Sequence, residues 1–140
     1  YKDEKYIDKH NIYVANYNAM HDALNNLLVE PEHIIVDGNY FKPYCSPSGK
    51  FINHTTVVKG DNEYASIAAA SILAKVSRDK YVEEMCDKYP QLDEFYGLRS
   101  NKGYASKKHL DGIRQHGCTR FHRKSFGLCK TSKQITLEGE

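Results

Sequence analysis

Two aspartates lie where short runs of apolar and β-branched residues end. Asp37 closes the run "HIIVDG", and Asp61 follows the run "HTTVV" after a Lys-Gly turn. If these runs are neighbouring strands, both carboxylates lie at one edge of a sheet. Hard divalent cations such as Mg²⁺ and Mn²⁺ prefer oxygen ligands of this kind. Two such ions can hold the attacking water and the leaving oxygen of a phosphodiester, so the pattern predicts a candidate metal site.

Both aspartates also have a purely structural interpretation. An Asp-Gly pair is a common turn in which the carboxylate bonds its own backbone. An aspartate before a helix can simply face the helix N-terminus. Two carboxylates are also few for a metal site, and no third one stands out at a strand end. Asp79 directly follows Arg78, which indicates an ion pair on a helix surface.

The elements around these aspartates follow from apolar spacing and from proline and glycine. Apolar residues three and four apart, from Ile12 to Leu27, predict a helix within residues 11–29 that ends before Pro31. Strands are predicted over the two runs that precede the aspartates, with a proline-containing loop between them. Helix, strand, loop, strand and helix in this order favour an α/β fold.

A long helix is predicted from about Glu63 to Lys88, and it ends before Pro90. Its small residues, Ala65, Ala69 and Ala70, are expected to pack closely against a sheet or another helix. A further helix is predicted between an N-cap at Ser106 and Gly117. Two strands are few for such a sheet, so we expect its first strands to be missing from this chain.

The composition of the 140 residues indicates one globular domain, with 40% hydrophobic and 27% charged residues. No apolar run approaches the roughly 20 residues that span a bilayer, and the first ten residues are too polar for a signal peptide. We therefore expect a soluble, cytoplasmic protein with no membrane partner. The four cysteines form no CxxC pair, which favours free thiols, although their spacing leaves a disulfide open.

Positive charge is concentrated in the C-terminal third of the chain. Residues 99–133 contain ten Lys or Arg and a single acidic residue, Asp111. Aromatic residues lie between these charges, an arrangement typical of proteins that bind a polyanion such as nucleic acid. A solvated, lysine-rich surface is the alternative, and charge alone does not separate the two.

Five segments together resemble one known family. Residues 57–79, "VVKGDNEYASIAAASILAKVSRD", resemble the signature segment of the type 2 ribonucleases H, specifically of bacterial ribonuclease HII. Further segments resemble the family in the same order along the chain, and these are "YIDKHNIYVANYNAMHDAL", "IIVDGNYFKP", "NKGYASKKHLDGIRQHG" and "FHRKSF". The resemblance extends from about Ile7 to Cys129.

This resemblance implies a ribonuclease H-like mixed sheet flanked by helices, with a helical C-terminal part. It implies a partial catalytic domain over residues 1–128, while residues 129–140 are expected to be a flexible tail. The implied activity is that of an endonuclease using Mn²⁺ or Mg²⁺. Its partners would be RNA–DNA hybrids and duplex DNA containing ribonucleotides, cut on the 5′ side of the ribonucleotide. We expect the protein to be a monomer.

The resemblance also assigns roles to individual residues. Asp37 and Asp61 match the last two of the family's four metal-binding carboxylates. Tyr104 matches the tyrosine that lies against the ribose; its OH can bond the 2′-hydroxyl that distinguishes RNA from DNA. For His122, a structural hydrogen bond and a ligand contact are equally open. Further candidates for phosphate contacts are Ser66, Ser71, Lys59, Lys75, Arg123 and Lys124. For the two serines, a small core-facing residue is the alternative.

One family motif has no counterpart in this sequence. The family's first two carboxylates lie in a Gly-x-Asp-Glu-Ala-Gly-Arg-Gly segment, which occurs nowhere in these 140 residues. The chain therefore carries two of four predicted metal ligands, and the activity of the chain alone stays open. Two alternatives remain, a nucleic-acid-binding fragment without catalysis and the related ribonuclease HIII.

Overall fold

Helices and a small sheet form an α/β arrangement, as predicted, within residues 1–139, which the computed structural model describes. Two compact units divide the chain: unit 1 is Tyr1–Ala74 and unit 2 begins at Lys75. No helix in the described residues is long and apolar enough to cross a membrane. The elements in chain order are α1 (Glu4–His10), α2 (Ile12–Asn25), β1 (His33–Asp37), β2 (Tyr44–Cys45), β3 (Phe51–Val57), α3 (Gly60–Glu63), α4 (Ala65–Lys88), α5 (Gln91–Tyr96), α6 (Leu98–Asn101), α7 (Lys107–His116) and a 3₁₀ helix (Gly127–Lys130).

Unit 1 contains a mixed sheet in the order β1–β3–β2. Strands β1 and β3 are parallel, with Asp37 opposite Val57, and β2 pairs with β3 in the antiparallel sense. The mixed sheet that the sequence predicts is therefore confirmed. Apolar residues of the sheet and of the loop after β1 are buried and pack against one side of α2. The cluster is Ile34, Val36, Phe41, Tyr44 and Ile52, with Tyr17, Met20 and Leu24 from α2.

The N-terminal helical region differs from the prediction of one helix within residues 11–29. Asn11 separates α1 from α2 with a φ of 69°, and its side chain accepts a hydrogen bond from the Val14 N–H. Helix α2 ends at Asn25, so Leu27 lies beyond it and is exposed. The Asn26 side chain donates to the Asp22 carbonyl at 2.7 Å, which satisfies a helix-end carbonyl and favours termination there.

The loop between the two predicted strands contains a third strand that the sequence does not predict. Tyr44 and Cys45 form β2, and β3 begins at Phe51, earlier than the predicted start at His54. A tight turn joins them, with the Ser46 N–H donating to the Lys50 carbonyl at 2.9 Å. Two residues are too few to show a strand pattern in a sequence, which is why the hairpin was missed.

The alanines at the start of α4 do not pack as predicted. Ala65, Ala69 and Ala70 are exposed, whereas Ile67 is buried. The expectation of a close helix contact through these alanines is therefore wrong for the residues described. In this part of α4, Ile67 is the residue that packs inward, next to Gly60.

Unit 2 is built around α5 and α7, with a core of buried apolar and aromatic residues. The cluster consists of Cys86, Tyr89, Leu92, Tyr96, Leu98, Ile113, Cys118, Cys129 and Leu137. Ser106 caps α7 by accepting from the His109 N–H, and the helix ends at Gly117, so both predicted boundaries are confirmed. A side chain at Gly112 would overlap the Phe95 carbonyl and lie 2.9 Å from the Tyr96 ring. Glycine at this position therefore permits the close contact of α5 with α7.

The cysteines of unit 2 correct the expectation of four free thiols. Cys118 and Cys129 form a disulfide, and only Cys45 and Cys86 are free. Part of the segment predicted to be a flexible tail is packed beside this disulfide. The Ile135 N–H donates to the Cys118 carbonyl at 2.9 Å, and Leu137 is buried.

Replacing Gly112 with alanine should destabilise the protein, because the added methyl group must separate α5 from α7. We expect a loss of about 2 kcal/mol in the free energy of unfolding, typical of overpacking a filled core. This loss is larger than the gain of about 1 kcal/mol that the higher helix propensity of alanine provides, so the variant is destabilised. Urea denaturation followed by circular dichroism measures the change.

Gln115→Ala is the control, since Gln115 is exposed on the same helix. It should change stability by no more than about 0.5 kcal/mol. A Gly112→Ala variant as stable as the parent would show that α5 and α7 are not packed as described.

Candidate functional site

The two predicted metal ligands of unit 1 lie at the same edge of the sheet. Parallel pairing aligns the ends of β1 and β3, and the Gly38 N–H continues it by donating to the Val57 carbonyl at 2.9 Å. The Asp37 carboxylate then accepts a hydrogen bond from the Gly60 N–H at 2.9 Å. Asp61 directly follows Gly60 in the chain. The hydrogen bond therefore links Asp37 to the turn that carries Asp61.

The Lys-Gly-Asp turn is closely packed at Gly60. Lys59 has a left-handed backbone, with φ 57° and ψ 40°, and its side chain is exposed. Gly60 is buried, and a Cβ atom added there would lie 2.7 Å from the Ile67 Cδ1 and 3.3 Å from the Val57 Cβ. The missing side chain lets the turn lie against β3 and α4, which holds the backbone of Asp61 in place.

Both carboxylates are exposed and can meet a cation from solvent. Mg²⁺ commonly uses one or two carboxylates together with waters and substrate phosphates, and Asp37 with Asp61 fits that pattern. Across residues 1–139, no group of three or more His, Cys, Asp or Glu could hold a metal ion. Asp79 lies 3.9 Å from Arg78, in agreement with the predicted surface pair.

The two predicted phosphate-binding serines lie on the unit 1 part of α4. Ser66 is the second residue of the helix and Ser71 follows five residues later; both are exposed. With about 100° between successive residues, they point to different sides of the helix. Only Ser66 lies within the first turn, where backbone N–H groups favour an anion.

In unit 2, the predicted ribose-contacting residue Tyr104 is 69% exposed. One face of its ring lies on the Arg78 guanidinium, 5.0 Å from the ring centroid. The same guanidinium donates to the Lys102 carbonyl two residues before the tyrosine. Arg78 therefore supports both the ring and the loop that carries it, and leaves the other ring face open.

The loop before Tyr104 is held by hydrogen bonds to α6. The Tyr104 N–H donates to the Asn101 carbonyl at 2.8 Å, and the Gly103 N–H donates to the Asn101 side chain at 2.9 Å. Asn101 in turn donates to the Tyr96 carbonyl at 2.7 Å. An exposed tyrosine on so constrained a backbone is suited to contact a ligand with little loss of conformational entropy.

The remaining predicted phosphate contacts in unit 2 lie in two places. Lys75 is three residues before Arg78 on α4, so the two cations share one side of that helix. Arg123 lies over the ring of Phe126 at 4.7 Å, and Phe126 is exposed. Lys124 is also exposed. These cations could bind phosphates along a nucleic-acid backbone.

A pair of buried histidines lies beneath the Tyr104 loop. The His109 Nδ1 is 2.9 Å from the Tyr104 carbonyl, and its Nε2 is 3.1 Å from the Nε2 of His122. His122 is buried and hydrogen-bonded, which agrees with the structural alternative for this residue. Burial, with a further effect of His109, lowers the pKa of His122 to about 4. Both rings are therefore held away from solvent.

Arg78 and His109 are the two contributors to the Tyr104 environment that the sequence analysis missed. The sequence predicts only the pairing of Arg78 with its neighbour Asp79 and gives His109 no role. Each reaches the tyrosine loop through tertiary contacts across more than four residues. The resemblance of "NKGYASKKH" to a family motif was the one feature that could have drawn attention to His109.

Comparison with known proteins identifies the family. A family model described as Ribonuclease HII matches residues 1–129. The chain belongs to the ribonuclease HII family. Ribonuclease HII of Parabacteroides distasonis is 51% identical over 131 residues, covering 94% of this chain and 60% of that protein. Ribonuclease HII of Phocaeicola vulgatus is 49% identical over 131 residues, covering 94% and 61%.

A solved structure supports the same fold. The ribonuclease H2 of Pyrococcus horikoshii OT3 matches with a TM-score of 0.67 and 25% identity, covering 91% of this chain and 64% of that one. The chain thus spans about 60% of the length of the ribonuclease HII relatives named above. Family membership sets aside the ribonuclease HIII alternative, while the roles of individual residues stay predictions.

The stability of this ribonuclease HII family member should fall as the pH is lowered from about 6.5 to about 4. Histidine in an unfolded chain has a pKa near 6.5, whereas folded His122 resists protonation down to about 4. The unfolded state therefore binds more protons in this pH window, and the free energy of unfolding falls by up to about 3 kcal/mol. Urea denaturation at several pH values measures the slope.

A His122→Asn variant is the comparison, because it removes the titrating group and keeps an acceptor near the Nδ1 position. Its stability should vary less with pH in this window, while carboxylates contribute equally in both proteins. Identical slopes for the two proteins would contradict a neutral, buried His122.

Proposed function

We propose that this chain is part of an endonuclease that hydrolyses the RNA strand of RNA–DNA hybrids. The same activity would nick duplex DNA on the 5′ side of an embedded ribonucleotide, giving a 3′-hydroxyl and a 5′-phosphate. The observation that carries the proposal is the hydrogen bond between Asp37 and the Gly60 N–H, next to Asp61, in a chain of the ribonuclease HII family. The cytoplasm as its location and a monomeric state belong to the same proposal.

Asp37 and Asp61 are the residues that would hold Mg²⁺ or Mn²⁺. When bound, such ions lower the pKa of a coordinated water and offset the negative charge that develops on a phosphate. The chain's own contribution is geometric. The Gly60 N–H fixes one carboxylate oxygen of Asp37, and the packed turn fixes the backbone of Asp61.

The cations and hydroxyls near each proposed contact would bind the substrate backbone. In unit 1, Lys59 is exposed one residue before Gly60, and Ser66 lies in the first turn of α4. Ser71 would serve a second phosphate, since it points to another side of the helix. In unit 2, Lys75, Arg123 and Lys124 would neutralise phosphates, a contribution that is independent of sequence and weakened by salt.

Tyr104 would contact the ribose that carries the 2′-hydroxyl. Its open ring face can lie against the sugar while the phenol OH forms a hydrogen bond with the 2′-hydroxyl. Support comes from its 69% exposure and from the fixed backbone around it. A site built to bond a hydroxyl disfavours a ligand that lacks one, because a polar group is then left unpaired.

A nucleic-acid-binding role without catalysis is the second candidate for the chain by itself. It is favoured by one observation, that the described residues contain no cluster of three or more metal-binding side chains. The basic residues of unit 2 would suffice for such binding. Duplex binding that weakens steeply with salt, without any cleavage, would favour this candidate.

Asp61→Asn should reduce cleavage by about a thousandfold, because the substitution removes a negative metal ligand while keeping the shape of the side chain. The substrate is a labelled DNA duplex with one ribonucleotide, incubated in Mn²⁺ and then in Mg²⁺. The protein is this chain joined to an N-terminal segment bearing the family's Asp-Glu motif. The chain without that segment should not cut.

Glu63→Gln is the matched control, since Glu63 is an exposed carboxylate in the same short helix. It removes the same charge two residues away and should leave cleavage within about threefold of the parent. Full activity of Asp61→Asn, or an equal loss in Glu63→Gln, would exclude a specific role for Asp61.

Tyr104→Phe should weaken the preference for a ribonucleotide over the matching deoxyribonucleotide by about fivefold, the effect of one lost hydrogen bond. Affinity for the all-DNA duplex should stay the same, because the aromatic ring remains. Fluorescence anisotropy with the two duplexes measures both values. Tyr13→Phe is the control. It removes an exposed hydroxyl from α2 and should change neither the preference nor the affinity. An unchanged preference in Tyr104→Phe would exclude the proposed hydrogen bond from Tyr104 to the ribose.

A further inference from the structure

Two buried side chains of unit 2 have no role in the proposed chemistry. His109 and His122 are each 8% exposed and contact each other through their Nε2 atoms. Imidazoles are costly to bury unless their nitrogens are hydrogen-bonded. Apolar side chains of similar size would fill the same space without that cost. The pair therefore calls for an explanation beyond packing.

The hydrogen bonds of the pair have one consistent direction. The Thr119 main-chain N–H donates to the Nδ1 of His122 at 3.1 Å, so this nitrogen carries no proton. A neutral His122 then has its proton on Nε2 and donates to the Nε2 of His109 at 3.1 Å. His109 must in turn carry its proton on Nδ1, from which it donates to the Tyr104 carbonyl at 2.9 Å.

The surroundings keep this series of hydrogen bonds away from solvent. The ring of Tyr96 lies edge-on to both imidazoles, with centroid distances of 5.9 and 4.7 Å. Its hydroxyl is used elsewhere, donating to the Gly117 carbonyl at 2.9 Å. The Thr119 hydroxyl lies 2.9 Å from the Nδ1 of His122. This series of hydrogen bonds thus runs from the fully buried Thr119 to the main chain of the exposed Tyr104.

We propose that His109 and His122 are positioning residues for Tyr104, and that they hold its main chain where the ring can contact a ribose. The inference deepens the proposed function and rests on it for the part that concerns the substrate. His109 fixes the Tyr104 carbonyl directly, and His122 fixes the tautomer of His109. Neither imidazole touches substrate.

The first test needs no variant. Ring ¹⁵N chemical shifts of the full chain at pH 7 should show His122 protonated on Nε2 alone and His109 protonated on Nδ1 alone. The opposite tautomer of either ring, or a doubly protonated ring, would overturn the proposal. Free histidine in water favours the Nε2–H form, so the expected state of His109 is distinctive.

The second test compares two replacements of His109. Asparagine places an amide N–H close to the position of Nδ1–H and can restore the bond to Tyr104, whereas leucine cannot. We expect His109→Leu to reduce the preference for the ribonucleotide duplex over the all-DNA duplex by about fivefold. Affinity for the all-DNA duplex should change by less than about twofold. His109→Asn should recover most of the preference.

Tyr104 ring resonances, recorded on the same proteins, separate failure of this proposal from failure of the proposed function. Shifted or broadened signals in His109→Leu, with parent-like signals in His109→Asn, support the positioning role even if the parent protein shows no ribonucleotide preference. In that case the proposed function fails and the positioning role remains. Unchanged Tyr104 signals in His109→Leu would overturn the positioning role. An equal loss of affinity for both duplexes would also overturn it.

Discussion

The hydrogen bond from the Gly60 N–H to the Asp37 carboxylate links two parts of unit 1 that are distant in sequence. It is possible because β1 and β3 run parallel and end together. It also depends on the small size of Gly60, since a side chain there would meet Ile67. The proposed metal-binding role of Asp37 and Asp61 depends on this junction. A carboxylate held by a main-chain donor keeps its position when the charge around it changes.

Much of unit 1 could be predicted because its elements are marked in the sequence. The apolar runs before Asp37 and Asp61 are strands, and the glycine and proline residues fall at or close to most element boundaries. Apolar spacing does not predict helix α1, because Glu4–His10 is mainly charged and lacks apolar periodicity. The exposed alanines of α4 show the converse problem. Small residues permit close packing, but the sequence does not show whether a partner is present.

The environment of Tyr104 could be predicted only in part. Family resemblance indicated the residue itself, and a serine before "KKH" indicated the helix that follows. The support from Arg78 and His109 could not be predicted, because hydrogen-bond partners distant in sequence leave no periodic pattern. The direction of the bonds between His109 and His122 follows from a main-chain N–H at Thr119. Such a constraint is visible only when the coordinates of donor and acceptor are known.

The Arg78 guanidinium beneath Tyr104 limits how this ring can meet a double helix. Side chains that wedge between base pairs must offer both faces, and they bend the duplex by unstacking it. One face of Tyr104 is already occupied at 5.0 Å by a cation. A planar ligand can therefore stack on one face of this ring only. If Tyr104 contacts a nucleotide as proposed, it would do so without wedging between base pairs, so this contact by itself would not bend the duplex.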